Sequence, residues 1–379
     1  MTASIARKLA TFVPAALWLL FASAAMGQAP PEADHGAVKP EGEPAKLPAY
    51  HHSIFSWEHS VTTQTLGVGD APQSSNPTYT MGFVARTRYY LVDDTPRGEH
   101  FSLRLDGGLY REFTNSDVTT RRGEWDFSDT DLAGVYARRF QGPADTDGTI
   151  FELRPLTLTL PTSKLSYDSG RYFAPGALVG VTNVTPWLRG HGDPEIASMV
   201  RLAVGYKRWF SRATVPTNPS LERVRLTPDE RSLPSDELSG SSLIRDQLDF
   251  SATLVMLFGE DVFWTTSAAL APAWKYSLQD PPPCVETYTG CAAVATSSDD
   301  SRYVVRTQFL TEVSVRVAKG VSLELGYGNI ANQLGLDGRR RSFFYSPAAT
   351  FFASVSVFPH ELVTGSKQLA RNGAASPNL

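Results

Sequence analysis

After Met26 the sequence contains no apolar run long enough to cross a membrane as a helix, which takes about 18 or more residues. Helical periodicity is nearly absent, and cysteine occurs only twice. The formal net charge is -4, and lysine and arginine are spread along the chain instead of clustered as phosphate binding requires. These absences argue against a helical membrane protein and against nucleic acid as a partner. Because 42% of the residues are hydrophobic, a membrane protein of this composition would have to use strands.

The first 27 residues have the composition of an export signal. Arg7 and Lys8 provide a positively charged start, residues 9–21 form an apolar core, and small residues follow. We predict a cleaved signal peptide at 1–27, with cleavage after Ala24 or Gly27. An uncleaved inner-membrane anchor is the alternative, and it is disfavoured because a proline interrupts the apolar run.

From Ile54 to Phe358 the sequence alternates between segments of period two and clusters of turn residues. In 303–317, for example, the odd positions are apolar or β-branched and most even positions are polar or charged. Twelve such segments are predicted as strands: 54–65, 78–93, 101–114, 125–140, 149–160, 173–189, 196–211, 244–258, 262–278, 303–317, 321–332 and 343–358.

The connections between these segments alternate between long and short, as in outer-membrane barrels, which have short periplasmic turns and long outer loops. The sequence therefore predicts an all-β fold, a transmembrane antiparallel up-and-down β-barrel of about twelve strands over residues 51–358. A proline-rich disordered linker is expected at 28–50 and a periplasmic C-terminal tail at 359–379. A soluble β-sandwich is the competing architecture, but its strands average about five or six residues and are shorter than these.

Tryptophans provide a length test for a membrane crossing. Trp264 and Trp274 are ten residues apart and so lie on the same face of one strand. With a tilt of about 40°, that separation rises roughly 25 Å, the height of the apolar band between the aromatic girdles of a barrel. Other tryptophans near the ends of predicted strands are expected at the membrane interfaces: Trp57, Trp125, Trp187 and Trp209.

Four prolines fit the predicted strands poorly, because a closed barrel has no free edge where a missing N–H is harmless. They are Pro155, Pro175, Pro272 and Pro347. Bulges could accommodate them, and near Pro155 the apolar residues do switch from odd to even positions.

If the apolar faces meet lipid, the polar faces line the lumen. The residues expected there are Arg86, Arg88, Arg104, Asp106, Arg201, Lys207, Asp249, Arg306, Gln308, Glu312, Arg316 and Glu324. Two interpretations stay open. These groups select solutes in a pore by charge and hydrogen bonding, or they pair across a tight interior and satisfy one another. The long segment 212–243 could fold inward as a constriction, although a mobile surface loop is the simpler interpretation.

Few residues indicate other chemistry. Cys284 and Cys291 lie in one loop with six residues between them, and an exported protein could join them in a disulfide; two unpaired thiols are the alternative. No histidine lies near this pair in sequence, so no metal site is expected. His59 and Ser60 point to opposite faces of a strand and cannot form a nucleophile–base pair. We therefore predict a protein without catalytic residues or a cofactor.

Two short stretches, Asp129-Thr130-Asp131-Leu132 and Leu160-Pro161-Thr162-Ser163, resemble motifs of outer-membrane barrels associated with the meta-pathway of phenol degradation. Thr130 and Ser163 stand where that family has glycine. The resemblance implies a transport-type barrel and names no substrate.

Together these features predict a channel or facilitator for small solutes in the bacterial outer membrane. The lipid bilayer, the solutes and the barrel-assembly machinery are the expected partners. The alternative is a structural or surface-binding barrel without an open pore, and an outer-membrane enzyme is the least favoured interpretation.

Overall fold

Twelve long strands contain most of the residues that the structure describes. The computed structural model describes residues 47–63, 78–94, 98–114, 123–141, 148–185, 196–212, 214, 242–258, 261–277, 284–287, 290–293, 302–334, 340–346 and 348–363. The long strands are β1 (Ile54–Thr62), β2 (Tyr79–Asp94), β3 (Glu99–Glu112), β4 (Thr130–Gln141), β5 (Gly148–Leu160), β6 (Arg171–Thr185), β7 (Ile196–Arg208), β8 (Ile244–Phe258), β9 (Val262–Lys275), β10 (Tyr303–Ala318), β11 (Val321–Asn332) and β12 (Thr350–Val357).

Each long strand pairs antiparallel with its neighbours in sequence, and the first pairs with the last. The register of β1 with β12 runs from Phe55 opposite Val357 to Thr62 opposite Thr350. This closure leaves no sheet edge along the ring, so backbone groups are paired from strand to strand. The predicted barrel of about twelve antiparallel strands is confirmed.

No helix among the described residues is long and apolar enough to cross a membrane. One short helix, α1 (Lys164–Asp168), lies between β5 and β6. Four short strands accompany the barrel. Trp125–Phe127 pairs with β3, Phe210–Ser211 pairs with β6, and Cys284–Thr287 and Gly290–Ala293 form a separate hairpin. The signal peptide, almost all of the 28–50 linker and the tail after 363 lie outside the described residues and stay predictions.

The predicted strand 343–358 is wrong at its start, since β12 begins only at Thr350. Residues 342–344 instead lie across β10 and β11, where the side-chain amide of Asn329 donates to the carbonyl oxygen of Phe343 at 2.9 Å. The Phe344 carbonyl accepts a hydrogen bond from the Tyr327 hydroxyl at 2.7 Å, and the Phe344 ring packs on that of Phe309. These side-chain contacts occupy groups that a strand would pair with its neighbour.

The predicted strand 125–140 is interrupted at Ser128 and Asp129. The Asp129 carboxylate accepts hydrogen bonds from the loop after β5, from Ser163 N at 3.1 Å and Ser166 Oγ at 2.6 Å. At these two residues the strand pairing is broken, and the Asp129 side chain bonds instead to the loop after β5.

The bulge suggested at Pro155 is present. The register between β5 and β6 shifts between Arg154 and Thr157. As a result the Arg154 side chain is only 12% exposed, while Leu156, two positions later, is 59% exposed. Pro272 lies opposite Val305 in an unbroken register, and Pro347 lies outside the described residues.

Candidate functional site

The barrel has an apolar outer face and a polar inner face. In β7, Leu202 and Val204 are exposed, whereas Arg201 and Ala203 beside them are buried. The same alternation recurs around the ring, because successive side chains of a strand point to opposite faces. Exposed Trp57, Trp125 and Trp274 belong to the outer face. A barrel of this kind presents large apolar side chains outward and encloses its charges.

The structure places the twelve residues predicted to line the lumen at positions opposite the exposed apolar side chains of their strands. They are Arg86 and Arg88 on β2, Arg104 and Asp106 on β3, Arg201 and Lys207 on β7, Asp249 on β8, Arg306, Gln308, Glu312 and Arg316 on β10, and Glu324 on β11. Most of the charged residues among them belong to two groups, one mainly basic and one mainly acidic.

The first group of charges centres on Glu152 of β5. Its Oε1 atom lies 2.6 Å from Nε of Arg154 and 3.1 Å from a terminal guanidinium nitrogen of Arg201 on β7. Arg88 of β2 also interacts electrostatically with this carboxylate. All three side chains of the central contact are between 10% and 15% exposed, so water screens them little. One carboxylate therefore serves three guanidinium groups.

Arg104 of β3 extends this group along the wall. It pairs with Asp106 at 2.5 Å and also interacts with Glu152. Lys207 of β7 lies 3.7 Å from Asp131 of β4. We call the side chains of Arg88, Arg104, Arg154, Arg201 and Lys207, with their three carboxylate partners Asp106, Asp131 and Glu152, the basic wall.

The second group carries the opposite sign. Glu58 of β1, Glu312 of β10 and Glu324 of β11 interact with one another, and Arg86 interacts with the first two. The Ser354 hydroxyl of β12 donates to Glu324 at 2.5 Å. We call the three glutamates with Arg86 the acidic wall.

Strand order places the centres of the two walls in opposite halves of the ring, although the walls meet on β2. In a ring of twelve strands, each strand lies opposite the strand six positions along. Strand β7 with Arg201 is therefore opposite β1 with Glu58, and β5 with Arg154 is opposite β11 with Glu324. Arg86 of the acidic wall and Arg88 of the basic wall lie two residues apart on one face of β2, so the two walls are adjacent on this strand.

A buried loop lies at the outer rim, the end of the barrel where β1 ends and β12 begins. Ser163, Ser166 and Ser169 of the β5–β6 connection are at most 1% exposed. The Arg171 side chain reaches Ser166 Oγ at 3.5 Å. The candidate constriction at 212–243 falls mainly outside the described residues, whereas this shorter connection is packed inward.

Trp209 does not lie at a membrane interface as expected, because its side chain is 2% exposed. The Arg171 guanidinium lies 4.3 Å from the centre of its ring, and Lys207 lies 5.4 Å from it. Stacking against two cations that are themselves enclosed draws this indole inward.

Sequence reasoning missed several enclosed charges, chiefly Glu58, Glu152 and Arg154. Glu58 follows the exposed Trp57, so alternation alone would have indicated its position. Glu152 and Arg154 precede the bulge at Pro155, where the change of face obscures the pattern.

The predicted disulfide lies in the separate hairpin. Cys284 pairs in register with Ala293, and Cys291 with Glu286. The two cysteines are therefore diagonal and not directly opposite, and their disulfide stays a prediction. Within the described ranges, no group of three or more His, Cys, Asp or Glu residues is arranged to hold a metal ion.

Comparison with known proteins gives structural matches alone. No family model matches the chain, and no curated protein matches it. An outer-membrane channel from Pseudomonas putida F1 is similar over 85% of this chain and 99% of its own, with 11% identity and a TM-score of 0.45. The TodX monoaromatic hydrocarbon channel matches over 80% of this chain and 88% of its own, with 11% identity and a TM-score of 0.31. A Bordetella autotransporter β-domain matches over 82% and 99%, with 11% identity and a TM-score of 0.30.

The closed ring, the apolar outer face and the charged inner face define a β-barrel of the outer-membrane type. This is the class of fold that the alternating strands predict.

Proposed function

We propose that the chain is an outer-membrane channel or facilitator for small polar solutes, exported by its signal peptide and inserted by the barrel-assembly machinery. The observation that carries this proposal is the pair of facing charged walls inside a closed barrel. Charged groups are costly to enclose unless they are paired or meet water. The acidic wall has three carboxyl groups for one guanidinium, and an aqueous lumen beside it would allow these carboxyl groups to ionise.

A second candidate function, a structural barrel without an open pore, is favoured by the tight pairing of the basic wall. Arg104, Asp106, Glu152 and Arg154 are only 12% to 16% exposed. Eight-stranded barrels are filled by side chains, whereas barrels of about sixteen strands hold a channel. A ring of twelve lies between these limits.

Conductance in a planar lipid bilayer separates the two candidates. The purified full-length chain, after export and processing, is expected to give discrete current steps. Steps that require the folded protein support the channel. A correctly inserted barrel that carries no current over long recordings leaves the structural barrel as the function.

The facing walls predict how selectivity changes with charge. Under a salt gradient, the double variant E312Q/E324Q is expected to shift the reversal potential towards greater chloride permeability, because it removes two of the three carboxyl groups of the acidic wall. Glu99→Gln provides a matched control, since Glu99 pairs with the half-exposed Arg138 near the strand end. An unchanged reversal potential in the double variant, or an equal shift in the control, contradicts the assignment of the acidic wall to the conduction path.

A further inference from the structure

Three histidines from the two ends of the barrel chain meet at the terminal rim, the end where β1 begins and β12 ends. The ring centres of His51 and His52 are 4.5 Å apart. The ring centre of His360 lies 6.4 Å from that of His51 and 5.9 Å from that of His52. His51 is 3% exposed and His360 is 5% exposed. We call these three side chains the histidine cluster.

The turn end of the hairpin β2–β3 lies against this cluster. Tyr90 of β2 stacks on His51 with ring centres 3.8 Å apart, and its hydroxyl lies 2.7 Å from Nδ1 of His52. Asp93 lies 3.8 Å from Nε2 of His51 and 2.6 Å from Nδ1 of His100. The charged and titratable groups that face the cluster are Arg88, Tyr90, Asp93 and His100. Glu361, next to His360 in sequence, contacts Arg316 instead.

The main chain is also held at this place. His51 Nδ1 lies 2.8 Å from the carbonyl oxygen of Pro48. His52 has a φ of 62°, a left-handed conformation that is uncommon outside glycine. Such backbone persists where the surrounding contacts fix it, and these contacts are the rings of the cluster.

The C-terminal partner in the cluster belongs to a helical turn at 359–363, which is docked on the β10–β11 turn. Glu361 accepts a hydrogen bond from Gly320 N at 3.0 Å and lies 4.0 Å from Arg316. Gly320 has a φ of +75°, and a Cβ atom there would stand 3.0 Å from Leu362. The turn is therefore anchored to the β10–β11 turn on one side and to the histidine cluster on the other.

Proximity and burial favour neutral imidazoles in this cluster. Burial is the main cause that lowers the pKa of His51 from its usual 6.5, and the neighbouring His52 and His360 lower it further. The hydrogen bond to the Pro48 carbonyl and the charge of Asp93 raise it and offset this only in part. The docked cluster therefore binds fewer protons than the released one. Its stability is complete above the usual pKa and falls as the pH drops below it.

We propose that the histidine cluster is a proton-sensitive latch, which holds the turn 359–363 against the terminal rim when its imidazoles are neutral and releases it when they are protonated. Two like charges forced within 6.5 Å at a buried site repel, and Asp93 can compensate one of them at most. Nothing in this proposal requires the lumen to conduct.

Hydrogen exchange of the amides of Glu361 and Leu362 tests the latch in the full-length folded barrel. Both amides donate to the Phe358 carbonyl oxygen, at 3.1 and 3.3 Å. After correction for the intrinsic pH dependence of exchange, we expect their rates to rise by about tenfold or more between about pH 7.5 and pH 5.5, since each proton taken up on release contributes up to tenfold per pH unit. An equal corrected rate at both pH values overturns the proposal.

Variants separate the latch from simple fraying of the chain end. In H51Q/H360Q, the exchange rates of these two amides are expected to be the same at both pH values after correction. In Glu361→Gln, both amides are expected to exchange faster at each pH, and the difference between the two pH values is expected to remain. His59→Gln is the matched control, because His59 contacts Tyr79 elsewhere on β1. A full pH response in H51Q/H360Q contradicts the latch. If that variant does not fold, the single variant H360Q is used, because residue 360 lies outside the strands. In H360Q the change of the exchange rates with pH must be smaller than in the unmodified protein.

Discussion

Replacing Glu152 by glutamine is expected to lower the free energy of unfolding of the barrel by about 3 kcal/mol, because a broken buried ion pair leaves uncompensated charge behind. Glu152 is the contact shared by Arg154 and Arg201, with both distances at or below 3.1 Å. Glutamine keeps the size of the side chain and removes its charge. The loss therefore reports the electrostatics of the basic wall and not a cavity.

Urea unfolding of the barrel in lipid vesicles, followed by tryptophan fluorescence, measures this loss. Glu99→Gln breaks an ion pair of similar type with Arg138, but those two side chains are 31% and 48% exposed. Water screens such a pair, so the control is expected to change stability by less than about 1 kcal/mol. Equal losses for the two variants would mean that the basic wall is as well hydrated as the surface.

Introducing arginine at Leu270 is expected to destabilise the barrel by about 2–4 kcal/mol, the cost of a lipid-facing cation near the bilayer midplane. Leu270 is 47% exposed and lies on β9 between Trp264 and Trp274, on the same face as both. In a soluble sandwich the same exposed position would accept arginine with little change. The substitution therefore distinguishes lipid from water at the outer face.

The matched control for Leu270→Arg is Leu334→Arg. Leu334 is also exposed, at 58%, but it follows β11 beyond the end of the strand. Near or beyond the interface the expected cost falls to about 0–1 kcal/mol. Unfolding of both variants in vesicles gives the comparison, and a Leu270→Arg variant as stable as the control would place the midpoint of β9 in water.

Residue alternation determined much of the fold in advance. Where polar and apolar residues strictly alternate, as around Arg201 and Leu202 in β7, the sequence fixes both the strand and its inner face. Strand β8 likewise starts and ends at its predicted residues, Ile244 and Phe258. These predictions succeed because they depend on a local pattern of period two, which can be seen directly in the sequence.

The failures arise where contacts between distant segments override the pattern. The segment before β12 is held by Asn329, whose side-chain amide donates a hydrogen bond to the Phe343 carbonyl oxygen. No local sequence pattern predicts this contact. The interior position of Trp209 depends on Arg171 in another strand. His51 precedes β1 and His360 follows β12, so these residues are far apart in sequence. They meet in the histidine cluster only because β1 pairs with β12 to close the barrel.

The division of the enclosed charges into two walls follows from topology as well. Glu58 and Glu324 are far apart in sequence but lie two strands apart after closure. Arg154 and Arg201 converge on Glu152 because β5, β6 and β7 are adjacent in the ring. Alternation places each charge inside, whereas the order of strands decides which charges face each other.

Heat-modifiable migration on SDS gels tests most directly whether this chain is an outer-membrane barrel. The protein is recovered from the outer-membrane fraction and loaded with and without boiling. A closed ring of twelve paired strands is expected to resist detergent at room temperature, to migrate as a compact species, and to shift to the position of the unfolded chain after boiling. The opposite result, a protein soluble in the periplasm whose migration does not change on boiling, would contradict the membrane barrel and with it the assignment of both walls to a lumen.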